Sequence, residues 1–232
     1  MRLIKMPRKD WRNWRRTTNL TIKQLELRDL IVTPVIILLI YIIAYLIRPM
    51  WTNETTRRYF FPALTLKLFG ALSVGLIYQF YYDGGDTYNY HTHGSRIIWE
   101  ELIENPLDGI KLFFNSHDAS LYPYYSKIDF YFDSSSFFIV KISSFFDLIT
   151  FSTYSATAVL FAFFGFIGVW FFFLAFYELL PHLHKQIAIA SFFIPSVFFW
   201  GSGLLKDTIV MTCLGVCTFQ IKRIFIDRKS VV

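Results

Sequence analysis

Ile31-Val32-Thr33-Pro34-Val35-Ile36-Ile37-Leu38-Leu39-Ile40-Tyr41-Ile42-Ile43-Ala44-Tyr45-Leu46-Ile47 decides what kind of chain this is. It carries no charge, and at about 17 residues it meets the lower limit for crossing roughly 30 Å of hydrocarbon. Arg48-Pro49 follows and is expected to stop it. The rest of the composition agrees. Hydrophobic residues make up 54% of the 232, aromatics 20% and charged residues only 17%, where a soluble domain carries about a quarter charged. Phe, Ile and Leu gather in long runs, unlike the short alternation of an outer-membrane barrel. The expected fold is all-α: a polytopic transmembrane helical bundle of about five spans, in the bacterial inner membrane, with the bilayer as its first partner.

Working outward, residues 1–29 form a basic arm. Arg2, Lys5, Arg8, Lys9, Arg12, Arg15, Arg16, Lys23 and Arg28 precede the first span and supply much of the net charge of +6. Trp11 and Trp14 make the arm amphiphilic, and residues 20–27 suit a short interfacial helix. In so apolar a chain it reads as a juxtamembrane segment on anionic lipid, not as a nucleic-acid binder. It is too long, and lacks a cleavage site, for a signal peptide. Residues 30–82 hold spans one and two, the second over 60–82, with Lys67 near enough to one end to snorkel. Residues 151–226 hold spans at 154–177, at 186–200 (short, with Pro195 inside it) and at 208–225. Cys213 and Cys217 lie on one helical face and read as small packing residues.

Residues 83–150 form a long acidic loop. A helix is expected over 87–103 with Asp86 as its N-cap, broken by Asn105-Pro106 and followed by a second amphipathic helix over 106–114. Residues 137–149 are apolar but dotted with Lys141, Ser143, Ser144 and Asp147, which suits a helix lying in the interface. Two crossings separate this loop from the Lys206-Asp207 turn, so both lie on one side. Absolute orientation stays open: the basic arm favours the cytoplasm for that side, and the acidity of the loop favours the outside.

The chemistry-bearing residues fall at those two places. In Asp83-Gly84-Gly85-Asp86, glycines let the backbone approach a ligand. A carboxylate at the mouth of a bundle can act as a general base, and two of them can bind a divalent cation, Mg or Mn. The plainer reading makes Asp83 a turn residue and Asp86 a cap. Tyr88 and His91 follow as candidate substrate-binding residues. His91 and His93, two apart on a helix, face different ways and so do not make a two-His metal site. Lys206 can meet a phosphate beside a helix N-terminus, while Asp207 reads either as its neighbour in a site or as the cap of the last helix.

An acidic, aromatic-rich loop after an early span, followed by interfacial helices, resembles the GT-C superfamily of membrane glycosyltransferases. Residues 195–207, Pro-Ser-Val-Phe-Phe-Trp-Gly-Ser-Gly-Leu-Leu-Lys-Asp, resemble a segment of uncharacterised bacterial members. The resemblance covers roughly residues 60–226. It implies transfer of a sugar from a polyprenyl-phosphate donor to a cell-envelope glycan, lipid or protein, with Asp83 or Asp86 as base and Lys206 on the donor phosphate. The chain departs from the family in three ways: two spans precede the loop, the acids are one residue wider apart than Asp-x-Asp, and the later spans are missing. A polysaccharide polymerase or ligase, and a transporter or assembly subunit, are the alternatives. Asp227-Arg228-Lys229-Ser230-Val231-Val232 reads as a translated sequencing adapter, so the chain is expected to be the N-terminal fragment of a larger protein.

Overall fold

The computed structural model describes residues 27–82, 84–114 and 119–226. Residues 1–26 of the basic arm, and with them all but Leu27 of the interfacial helix expected at 20–27, lie outside the described residues, as do Asp83, residues 115–118 and the adapter-like residues 227–232; Arg28 and Asp29, counted with the arm, belong to the first helix. Every element described is helical: α1 (Leu27–Trp51), α2 (Arg57–Phe80), α3 (Asp86–Tyr90), α4 (Arg96–Glu104), α5 (Pro106–Phe113), α6 (Tyr122–Tyr125), α7 (Ser134–Thr150), α8 (Tyr154–Leu179), α9 (His184–Ala188), α10 (Pro195–Trp200) and α11 (Lys206–Phe225). Wide π-type turns at His91–Ser95 and Ile189–Phe193 and short 3-10 turns join some of them. Four helices, α1, α2, α8 and α11, are long and apolar enough to cross a membrane.

α8 is the axis of the bundle. Its large residues bury Phe161, Phe166, Trp170 and Phe173 against α1, α2 and the broken segment that contains α9 and α10. Phe60 on α2 meets Phe166 and Trp170 edge-on, at 5.0 and 4.8 Å between ring centres. Offset and edge-on arrangements of this kind are the favourable ones for aromatic pairs. The contacts also fix direction. Asp29, at the start of α1, accepts from the Ser155 N–H (3.0 Å) at the start of α8, and Trp170 Nε1 donates to Trp51 O at the far end of α1. Phe171 meets Phe219 and Lys222 pairs with Glu178, so α11 runs parallel to α8. α2 runs antiparallel to α8: Tyr59 near its start meets Phe173, and Gly75 towards its end lies against Tyr154.

The span expected at 186–200 is not one helix. It breaks at Ile194, whose extended backbone (φ −73°, ψ 125°) precedes Pro195. Proline disfavours helical geometry in the residue before it. The broken segment still follows α2 over its length: Tyr59 bonds to His184 (2.8 Å), Gly70 lies against the Phe198 carbonyl, and Gly203 lies against Val74. The chain therefore passes the bundle five times, four times as a long helix and once in pieces.

That break explains Lys67, which does not snorkel. It is 1% exposed, and its Nζ donates to Val197 O (3.0 Å) and Gly201 O (2.8 Å), carbonyls freed at the end of α10. A buried ammonium needs such partners. Lys67→Met would keep the volume and remove the buried charge, but leave both carbonyls bare at about 1–3 kcal/mol each. The expected outcome is local: faster hydrogen exchange at the amides of residues 201–205, with those of α8 unchanged. Equal exchange in both proteins would refute this role. Arg48-Pro49 likewise does not end α1, which continues to Trp51; Thr52 Oγ1 then donates to Arg48 O (2.8 Å).

Candidate functional site

Gly84 and Gly85 both adopt left-handed backbone, at φ 127° and 128°, a region that favours glycine. The turn they make reverses the chain at the end of α2, with Gly84 N–H donating to Tyr78 O (2.9 Å). Gly85, not Asp86, sits at the cap of α3, and its carbonyl accepts from the Tyr88 and Asn89 N–H groups (both 3.0 Å). Asp86 is the first helical residue and its carboxylate is exposed. The same holds at α11: Leu205 is the cap residue, no side chain caps the helix, and Asp207 stands exposed in the first turn. Capping therefore accounts for neither carboxylate. A side chain caps the start of α7 instead, where Asp133 accepts from Ser135 N–H (3.2 Å).

These three starts meet at one end of the bundle. Lys206 Nζ donates to Ser135 Oγ (3.0 Å) and lies 3.5 Å from Asp133 Oδ2. Hydrogen bonds from Ser136 and Ser135, with the Lys206 charge nearby, hold the Asp133 carboxyl down at about 2. Tyr90 sits beneath. Burial pushes its phenol up against the opposing effect of a hydrogen bond with Ser136, and the carboxylates of Asp86, Asp133 and Asp207 all add to the rise. Asp86 and Lys206-Asp207 thus share an end of the molecule, as span counting requires, and the side chain closest to Lys206 is one that the sequence did not single out. Among the described residues no group of three His, Cys, Asp or Glu side chains converges to hold a metal ion.

Tyr88 and His91 are not surface residues. Tyr88 is buried, donates to Gly75 O (2.9 Å) and stacks on Tyr154 with ring centres 4.2 Å apart. It lines an apolar cleft of about 170 Å³ between α2 and α8, with Ala71, Leu72, Gly75 and Leu76. His91 is 2% exposed. It lies on the π-type turn that interrupts the single helix expected over 87–103, just before a kink at His93 (φ −101°, ψ 16°). His91 Nε2 is 3.5 Å from Asp147 Oδ1, and neither ring nitrogen makes a hydrogen bond among the described residues. His93 faces elsewhere: its charge lowers the Asp129 carboxyl, which burial raises more strongly. The two histidines do point apart.

Asp147 belongs to a buried polar knot. Ser95 Oγ donates to its Oδ2 (2.6 Å) and Thr157 Oγ1 to its Oδ1 (2.7 Å), while Ser143 bonds to Ser95 (2.9 Å) and Thr150 to Thr157 (2.7 Å). These residues tie the π-type turn, α7 and α8 together. The helix expected at 137–149 is part of α7, and Ser143, Ser144 and Asp147 on it face the interior, while Lys141 is half-buried over the Phe137 ring. Helical spacing could have revealed it, since Ser136, Ser143, Asp147 and Thr150 fall along one face.

Set against known protein families, curated proteins and solved structures, the chain matches none.

Proposed function

We propose that the five passes cross a bilayer, that of the bacterial inner membrane, and that the polar end of the bundle is the site of a glycosyltransferase using a polyprenyl-phosphate-linked sugar. The observation that carries this reading is the meeting of Asp86, Asp207, Asp133 and Lys206 at one end of an apolar bundle, with Asp86 and Asp207 unused as caps. The membrane part is supported by the outward face of α1, where Leu38, Leu39, Ile42, Ile43 and Leu46 are all exposed. In water such a face would leave much of its transfer free energy unrealised.

The reaction is a single displacement. The acceptor hydroxyl attacks the anomeric carbon, its proton passes to the Asp86 carboxylate, and the bond from that carbon to the phosphate oxygen breaks. The leaving polyprenyl phosphate keeps the electron pair, and its charge faces Lys206, which exchanges Asp133 for the phosphate. The cleft beside Tyr88 takes an apolar segment of the donor. The step is written without a divalent cation, which Asp86 and Asp83 could bind together with the donor phosphate; Asp83 is the remaining candidate base beside Asp86.

Asp86→Ala and Asp83→Ala in the full-length protein test the reading. Loss of a surface glycan from at least one variant, at normal protein abundance, is the expected result. An unchanged glycan profile in both would overturn it and leave a non-enzymatic membrane subunit.

A further inference from the structure

The C-terminal half of α7 is built largely inside out, although Phe146 there, like Phe137, Ile139 and Val140 earlier in the helix, is buried. Ser143, Ser144, Asp147 and Thr150 are fully buried, whereas Phe138, Phe145, Leu148 and Ile149 are each about half exposed. For a helix in water both halves of this pattern are unfavourable: large apolar side chains stay hydrated, and polar groups are withdrawn from solvent into an interior that must then satisfy them. Against hydrocarbon both halves become favourable, because lipid accepts the apolar face and the polar groups find partners only inside the protein.

The depth of α7 agrees with that environment. Phe146 stacks on Phe164 (5.3 Å) and meets Phe161 edge-on (5.4 Å). These lie seven and ten residues into α8, or about 10–15 Å along its axis. The apolar exterior of α1 begins nearer the start of α8 than this, so Phe146 lies level with side chains well inside that exterior. Its Leu30 and Ile31 are exposed beside Asp29, which is held to Ser155 at the start of α8. From Ile142 to Phe151 the only charged residue is Asp147, and it faces inward.

We propose that the C-terminal half of α7 is inserted in the bilayer, with Phe145, Leu148 and Ile149 against acyl chains, as a sixth embedded element that does not cross. The proposal rests on the membrane reading above and adds to it. Asp147 then becomes a carboxylate at membrane depth, and ionisable residues so placed face the bundle interior and are paired. Its partners are His91, Ser95 and Thr157.

Nitroxide labels test it in the full-length chain, reconstituted in phosphatidylcholine–phosphatidylglycerol vesicles. Labels go on Phe145→Cys and Leu148→Cys, with Cys213 and Cys217 replaced by Ala. Leu39→Cys on α1 and Lys127→Cys in the polar loop serve as references. Expected is an oxygen-to-nickel-chelate accessibility ratio at 145 and 148 matching that at 39 and several-fold above that at 127. A ratio matching 127 while 39 stays lipid-like would overturn the insertion of α7 and leave the membrane reading standing. A water-like ratio at 39, 145 and 148 together would overturn both. Two label sites guard against one substitution disturbing the fold.

Discussion

Gly168→Leu is expected to part α11 from α8. The two helices meet through small residues: Gly165 and Gly168 on α8 against Thr208, Thr212 and Gly215 on α11. A β-carbon at Gly168 would stand 2.7 Å from the Thr212 carbonyl oxygen and 2.9 Å from its carbon, and one at Gly215 would stand 2.5 Å from the Gly168 carbonyl carbon. The opposing atoms are backbone and cannot rotate away, so a whole isobutyl group forces the axes apart at more than about 3 kcal/mol. In a bilayer no hydrophobic expulsion restores the contact, because helix association there depends on close packing. Helicity itself should persist, since the backbone bonds of α11 lie within the helix. The consequence reaches the site: α11 begins with Lys206, so its displacement breaks the bond to Ser135 and the contact with Asp133. A bifunctional cross-linker joining Phe171→Cys and Phe219→Cys, whose native rings lie 5.1 Å apart, should lose most of its yield in the Gly168→Leu background with circular dichroism unchanged. An undiminished yield would sink the argument.

The long helices were legible because their cause is local. An uninterrupted apolar run of membrane length fixes a helix, so expectations at 60–82, 154–177 and 208–225 fall close to Arg57–Phe80, Tyr154–Leu179 and Lys206–Phe225. Pro195 marked the broken pass for the same reason. What the sequence hid was pairing across the chain. Asp86 looks like a cap because Asp often is one, yet the left-handed glycine before it takes that place. Lys67 looks like a snorkelling residue until the freed carbonyls of α10, 130 and 134 residues away, supply partners. Lys206 reads from the sequence as a phosphate ligand, because Asp133 reaches it only through the fold. Span counting could place Asp86 and Lys206 at one end, but not find the Asp133 carboxylate beside Lys206. Asp147 was visible only as an acid in an apolar helix. Its role lies in the one-sided spacing of its polar neighbours, which gives opposite answers in water and in lipid.

Asp147→Ala should be the most damaging polar substitution in the chain. The carboxylate receives two hydroxyl donors and faces the His91 ring, and all of them are shut away from bulk solvent, Asp147, Ser95 and Thr157 fully and His91 nearly so. Removing it leaves the Ser95 and Thr157 hydroxyls without their acceptor, at about 1–3 kcal/mol each, and opens space where the carboxyl stood. Asp147→Asn keeps the shape and one acceptor oxygen and should cost clearly less. The thermal unfolding midpoint in detergent reads this order directly. The damage should also be specific in place. Ser95 and His91 belong to the turn that continues from α3, so the knot ties the Asp86-bearing segment to α8 alongside the stack of Tyr88 on Tyr154. A double-mutant cycle of Asp147→Ala with Thr157→Val isolates that tie, because contacting residues couple by 0.5–3 kcal/mol where distant ones add. Additive effects in that cycle, or a midpoint for Asp147→Ala equal to that of the unsubstituted protein, would mean that the carboxylate anchors nothing.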